Sequence, residues 1–309
     1  MTAARAAFAA LLARQPAGRP LWAPLVDTLA ARLAGVSYRG MCDEPGLWVA
    51  GLQRATELLD ADAIIAPWDA TLMAEACGAQ TVWDGERPRL VEAPAALPAE
   101  PAAASRQAVA LETLRRLRSG PGAQAAVIAA LIGPATLAAQ LLPGIDGAEG
   151  LKQVKAIHAR VTEEALKARP DMVLFVEQRA HADPAGRPLQ RGYATLRNLA
   201  AYYDVPAALR LDGWGAGDIG ALTQLKLDLI VLGTGAADGV AAAGALGGAM
   251  LGAGASIPID DPARARQSFG AAAVAAAAGL NLLVTTCEPV DPDQDLAELR
   301  ALIAALRAA

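Results

Sequence analysis

The 309-residue chain carries 27 Lys and Arg against 32 Asp and Glu, a formal net charge of −5. That balance lacks the basic field needed to bind nucleic acid or an anionic membrane surface. Hydrophobic residues make up 54% of the chain but aromatics only 4%, so the core has to be built from Ala, Leu, Val and Ile, and the alanine favours helices.

In chain order, residues 1–17 read as an amphipathic helix interrupted by Arg5 and Arg14 and ended by Pro16 and Gly18, not as a signal peptide. Short apolar runs then alternate with helix-period segments. The runs are Arg19–Asp27, Asp62–Asp69, Ala125–Gly133, Asp171–Gln178, Pro206–Gly213, Leu227–Thr234, Gly248–Pro258 and Leu280–Pro289. Most are continuous rather than alternating, as expected of parallel strands buried on both faces. Helices are expected at Glu44–Leu59, Gly150–Ala168, Gln190–Tyr203, Asp218–Lys226, Pro262–Gly279 and Gln294–Ala308. Eight βα units in this length predict a single-domain α/β (β/α)8 TIM barrel. Residues 84–122, rich in Pro and Ala, interrupt the rhythm as an excursion between the second and third units.

Three cysteines, far apart and without a C-x-x-C, fit a reducing cytoplasm rather than a disulfide scaffold. The windows Gly239–Ile259 and Ser268–Cys287 lack charge, but their Ala and Gly give little transfer energy. They read as buried βα elements and not as membrane spans.

The stretch Gly215–Gly220 spells G-x-G-x-x-G. A dinucleotide loop normally follows the first strand and is answered by an acidic residue at the end of the next. Here four strands precede it and the next strand ends in Gly233 and Thr234. A tight βα turn, with Asp218 capping the helix, is the better reading. The turn "GTGAADG" after the sixth strand is of the same kind, with backbone N–H groups suited to a phosphate or carboxylate.

Barrel chemistry belongs at the C-terminal strand ends. Those ends bring Asp27, Trp68, Asp69, Thr136, Glu177, Gln178, Arg179, Arg210, Asp212, Trp214, Thr234, Ser256, Cys287 and Glu288 to one rim, with His181 in the loop after the fourth strand. Asp27 and Asp69 also suit helix caps, and Glu177, Arg210 and Asp212 suit a buried ion-pair network. With two histidines in the chain, and His158 placed in a helix interior, a histidine-rich metal site is excluded.

Four stretches, "DAIIAPWDATLMAEACGA", "LIGPATLAAQLL", "LRLDGWGAGDIGALTQLKLDLIVLG" and "LVTTCEPVDPDQDLAELRALIAA", together resemble the uroporphyrinogen decarboxylase superfamily. "LAARLAGVSYRGMCDEPGLWVAGL" is similar to the N-terminal region of its methyltransferase-like branch. The resemblance implies a (β/α)8 barrel and, by family habit, a homodimer. Its decarboxylase branch uses no cofactor and places an aspartate at the Asp69 position, with an N-terminal arginine pair that this chain lacks. Its other branch moves methyl groups between corrinoid proteins and thiols with zinc bound by His-x-Cys and a distant cysteine. Cys287 matches that cysteine, but the His-x-Cys positions read Arg210-Leu211-Asp212, and arginine does not ligate zinc.

The first expectation is therefore a metal- and cofactor-independent decarboxylase acting on a small or tetrapyrrole-like carboxylate. Asp69, Arg210 and Glu177 would be catalytic. Asp27, Trp68, Asp212, Trp214, His181 and Cys287 would contact substrate. The second is methyl transfer with a corrinoid or thiol partner and a degenerate zinc site of Cys287, Asp212 and Glu177. The third is a non-catalytic barrel subunit.

Overall fold

All eight apolar runs form strands, because only parallel strands covered on both sides can bury continuous apolar sequence. The computed structural model describes residues 2–120, 124–235, 238–246 and 250–308. The strands are β1 (Leu21–Trp22), β2 (Ala63–Ala66), β3 (Gln80–Asp84), β4 (Arg87–Glu92), β5 (Ala126–Ile132), β6 (Met172–Gln178), β7 (Ala207–Asp212), β8 (Leu229–Leu232), β9 (Gly252–Ile257) and β10 (Leu282–Thr286). Eight of them form one parallel sheet in the order β1-β10-β9-β8-β7-β6-β5-β2, and β3 and β4 form a separate antiparallel hairpin. With helices outside, this is a nearly closed TIM barrel, in which β7 is the fifth barrel strand and β10 the eighth.

Side chains alternate across each strand. Ala63, Ile65, Ile128, Ala130, Met172, Leu174, Ala208, Leu229, Val231 and Leu283 fill the lumen. Phe8 and Leu11 of the N-terminal helix (Ala3–Leu12) belong to the same cluster and stopper its lower end. Val173, Phe175, Leu209 and Leu211 point the other way, under the helices. On β9 the inward positions 252 and 254 are glycines, and a Cβ at Gly254 would lie 2.8 Å from Leu283 O and Val231 Cγ2.

The seam between β1 and β2 has no continuous ladder, and Pro24, two residues past Trp22, offers no N–H to extend one. Asp62 closes it instead. Its N–H donates to Trp22 O at 2.7 Å, and its carboxylate accepts from Trp22 N at 2.8 Å. Arg19 adds two bonds at 2.7 Å and Arg307 adds bonds at 2.9 and 3.1 Å.

The excursion folds onto the barrel. Hairpin β3–β4 and the helix Arg106–Ser119 occupy it, with Trp83, Leu90 and Leu97 packed on the main core. Residues 121–122 of the excursion, 236–237 of the "GTGAADG" turn and 248–249 of the seventh run lie outside the described residues. Four helices of five to eight residues, Thr28–Ala34, Tyr38–Cys42, Leu72–Ala76 and Pro134–Leu141, are too short for a 3.6-residue period to reveal. Within the described residues no helix is long and apolar enough to cross a membrane.

His158 is buried mid-helix against Phe175, with Nε2 donating to Ile132 O at 2.8 Å and Thr162 Oγ1 at 3.3 Å from Nδ1. Burial pushes its pKa down to about 4. Burial would raise the Asp62 carboxyl, but Arg19, Trp22 N–H and Arg307 outweigh it and hold it below its ordinary value of 3.8. Both folded values are depressed, so both contributions are lost on acidification, in different windows. Stability is expected to fall by roughly 3 kcal/mol as pH drops from 6.5 to about 4, and that slope vanishes in His158→Gln. A further loss below pH 3.8 belongs to Asp62 and is absent in Asp62→Asn, whose stability at neutral pH is itself lower by roughly 3 kcal/mol. Urea unfolding across pH checks both.

Candidate active site at the barrel mouth

The inward parity of Ala208 continues to Arg210 and Asp212, which places both at the top of the lumen. Arg210 is 1% exposed. Its Nε donates to Asp212, Nη1 to Thr285 Oγ1 and Thr286 O at 2.9 Å each, and Nη2 to Cys287 O at 2.7 Å, with Asp212 Oδ1 in ion-pair contact 2.9 Å from Nη2. Nε, both Nη1 N–H groups and one Nη2 N–H are thus donated within the protein, and the Asp212 carboxylate sits beside Nη2, which leaves little of this guanidinium for a substrate carboxylate. The Trp68 ring lies 5.5 Å from the guanidinium carbon, and Ser256 Oγ is 3.4 Å from Cys287 Sγ. Trp68, Arg210, Asp212 and Cys287 thus converge.

The glycines after β7 and β8 serve this arrangement. Asp212 Oδ1 also accepts from Thr234 N at 2.9 Å, and a Cβ at Gly233 would fall 1.9 Å from that oxygen. Gly215, Gly217 and Gly220 line no tight approach. The "GAGDIG" stretch is a βα turn starting with a 3-10 turn, and Asp218 accepts from Gly215 N and Arg179 Nε, both at 2.9 Å, instead of capping the helix by its side chain.

A second group gathers where β1 and β2 end. Asp69 accepts from Thr71 N and Oγ1 with one oxygen and from Arg106 Nη1 with the other. Arg106, itself 8% exposed, also holds Thr71 and Glu75 and lies 5.2 Å from the Trp83 ring centroid. Asp27 caps the helix Thr28–Ala34 through Oδ1, while Oδ2 faces Arg87 Nη2 of the hairpin at 3.5 Å. Burial raises the Asp27 carboxyl despite Arg87 and the Thr28 bonds, and the charge of Asp69 adds to the rise. Tyr38 joins the two groups by donating to Trp68 O at 3.3 Å.

Glu177, Trp214 and His181 stay apart from both groups. Glu177 has the opposite parity to Leu174 and Val176 and points outward, fully buried. It accepts from Ala135 N, Thr136 N, Thr136 Oγ1 and Tyr193 OH at 2.6–3.0 Å, which ties β6 to the start of the helix Pro134–Leu141. Burial raises its carboxyl against those bonds. Trp214 is 1% exposed and donates to Gly233 O at 2.8 Å, with no face toward the mouth. His181 is exposed and lines a rim cleft of about 590 Å3 beside Asp146 and Asp183.

Arg87 and Arg106 escaped the sequence reading because both sit in the excursion. The signal for Arg106 was present: it shares one helix face with Ala110, Thr113, Leu114 and Leu117, all buried. A larger cleft of about 1010 Å3 opens at Thr28, the residue after Asp27, reached by Arg32 and Arg87 but also by Asp84, Glu86, Asp260, Glu288, Asp291 and Asp293.

The family model for uroporphyrinogen decarboxylase (URO-D) matches residues 3–171. The chain belongs to this family. The match spans Asp27, Trp68 and Asp69 and ends before β7, so Arg210, Asp212 and Cys287 lie beyond it. No curated protein matches the chain. Among solved structures, a methyltransferase from Methanosarcina mazei is similar with a TM-score of 0.76 at 16% identity, covering 100% of this chain and 99% of that one. The apo homocysteine methyltransferase MmuM from Escherichia coli gives 0.54 at 15% identity over 97% and 99% of the two chains. A B12-independent methionine synthase from Shewanella sp. W3-18-1 gives 0.54 at 13% over 83% and 85%. At such identities the likeness is one of fold.

Zinc, which the methyltransferase-like branch of the URO-D superfamily implies, would need Cys287, Asp212 and Glu177 as ligands. Glu177 faces away and is saturated, and Asp212 is held by the cation of Arg210. Among the described residues no three His, Cys, Asp or Glu are grouped to hold a metal. This donor set does not fit the ion.

Removing Arg210 leaves the Asp212 carboxylate without its cation and takes a donor from the buried Thr285 Oγ1 and Thr286 O. Arg210→Met is expected to lower stability by about 3 kcal/mol, and Arg210→Met with Asp212→Leu to recover part of it. A double-mutant cycle in urea measures the coupling.

Proposed function

We propose that this URO-D family member is a metal-independent lyase, a decarboxylase, whose substrate binds in the cleft that opens at Thr28, the residue after Asp27. The observation that carries the reading is the Asp27–Arg87 pair. Arg87 is 55% exposed and reaches the cleft, so its planar guanidinium is free to take a substrate carboxylate in two-pronged fashion. Asp27 is a buried carboxyl with its pKa raised, the property of a proton donor.

In the step, the bond from the carbon to its carboxylate breaks and CO2 leaves. The electron pair passes into an acceptor group of the substrate itself. Asp27 then delivers its proton to that carbon and is recharged from solvent. Asp69 acts as a positioning residue, since its charge favours the protonated form of Asp27 and its bonds to Thr71 and Arg106 fix the end of β2. Six carboxylates against two guanidiniums line the cleft. That balance disfavours a polycarboxylate such as a tetrapyrrole and suits a small substrate with a cationic group beside its carboxylate.

The experiment is CO2 release from carboxyl-labelled small carboxylates whose cationic group is a protonated imine or ring nitrogen conjugated to the carbon that loses CO2, so that it takes up the electron pair. Activity is expected to fall as pH rises through the raised Asp27 value. Asp27→Asn is expected to lower kcat by about 100-fold, and Arg87→Met to raise KM by about tenfold. Release that is independent of Asp27 overturns the assignment.

A second reading, methyl transfer between a corrinoid and a thiol, rests on Cys287, which is partly exposed beside Ser256 at the end of β10. Methyl transfer from methylcobalamin to a thiol, lost in Cys287→Ala, would favour it over decarboxylation.

A further inference from the structure

On the outer surface, the helices Gly147–Lys167 and Arg187–Tyr202 enclose a groove of about 330 Å3. Pro134, Leu151, Pro188 and Leu196 make its apolar floor, and Lys152, Lys155 and Arg191 stand on its rim. The groove owes its depth to Gly192. A Cβ there would meet only Pro134 Cγ, at 4.0 Å, and the backbone φ does not require glycine. A glycine inside a helix is destabilising relative to alanine, and neither close packing nor backbone conformation accounts for it here.

The charge of the groove runs against that of the chain, which is −5 overall. Several other cations on these helices are occupied: Lys167 pairs with Glu163 and Glu164, Arg160 with Glu100, and Arg197 donates to the carbonyls of Leu225 and Lys226. Lys152 lies 3.5 Å from Glu149. Lys155 and Arg191 have no carboxylate within salt-bridge distance among the described residues. Two uncompensated cations over an apolar floor form a complementary surface for one kind of ligand.

We infer that this groove binds a small amphiphilic anion, an apolar ring or short chain carrying a single phosphate, sulfonate or carboxylate. The apolar body lies on Leu151, Leu196 and the two prolines, and the anionic group meets Lys155 and Arg191, where the arginine offers paired donors. The volume is at the lower end of the range for small-ligand sites, about 300–1,000 Å3. The groove is separate from the mouth cleft and does not depend on the reaction assigned there.

The test is calorimetric titration of the full chain with 1-naphthyl phosphate, with 1-naphthol and inorganic phosphate as controls. One-to-one binding is expected, with each control weaker by at least about tenfold. Gly192→Leu fills the groove in open space and favours the helix, and Lys155→Gln with Arg191→Gln removes the rim charge at the surface. Each is expected to weaken the probe by at least about tenfold while thermal unfolding stays cooperative. Absence of saturable binding at millimolar probe overturns the inference. So does binding that both variants leave unchanged, or 1-naphthol binding as tightly as the phosphate.

Discussion

A guanidinium buried at the top of a barrel must find acceptors for all its N–H groups, because each one left unpaired costs more than a typical hydrogen bond returns. Arg210 finds them on Asp212 of its own strand and on Thr285, Thr286 and Cys287 around the end of β10. Through Asp212 and Thr234 the same network reaches the turn after β8. One cation therefore cross-links the ends of the fifth, sixth and eighth barrel strands. The glycines at 233 and 235 follow from it and from the indole of Trp214 beneath.

Arg210 is thus engaged within the protein at the top of the lumen. Asp27, whose Oδ1 holds Thr28 and whose carboxyl is raised by burial, lies across the mouth at the β1–β2 seam with Oδ2 3.5 Å from the exposed Arg87. The seam is also where the barrel is least regular, since Pro24 offers no ladder N–H and the closure rests on Asp62 with Arg19 and Arg307 and on the Trp22 indole donating to Leu59 O. The hairpin Gln80–Glu92 delivers Arg87 over this end. Closure below the seam and the candidate site above it thus share the same two strands.

Much of this was legible beforehand, for identifiable reasons. The eight continuous apolar runs could only be buried parallel strands, and all eight are. Strand parity, read from β6 and β7, would have separated Glu177 from Arg210, since an odd and an even position relative to Leu174 and Ala208 face opposite sides. The excursion was harder. Its hairpin has exposed alternate positions and its Pro-rich link resembles a loop, so neither Arg87 nor Arg106 stood out, although the helical spacing of Arg106 with Ala110, Thr113 and Leu117 marked it as buried.

The sequence by itself determined the architecture and the family, because periodicity and local motifs act over a few residues and survive in one dimension. It also placed Asp69, Arg210 and Cys287 at strand ends. Which of those groups would be consumed by one another was decided only by the tertiary structure. Hydrogen-bond saturation depends on residues 37 positions apart, as with Asp69 and Arg106, or 77 apart, as with Arg210 and Cys287. No spacing rule links such pairs, and only the closing of the barrel brings them within 3 Å.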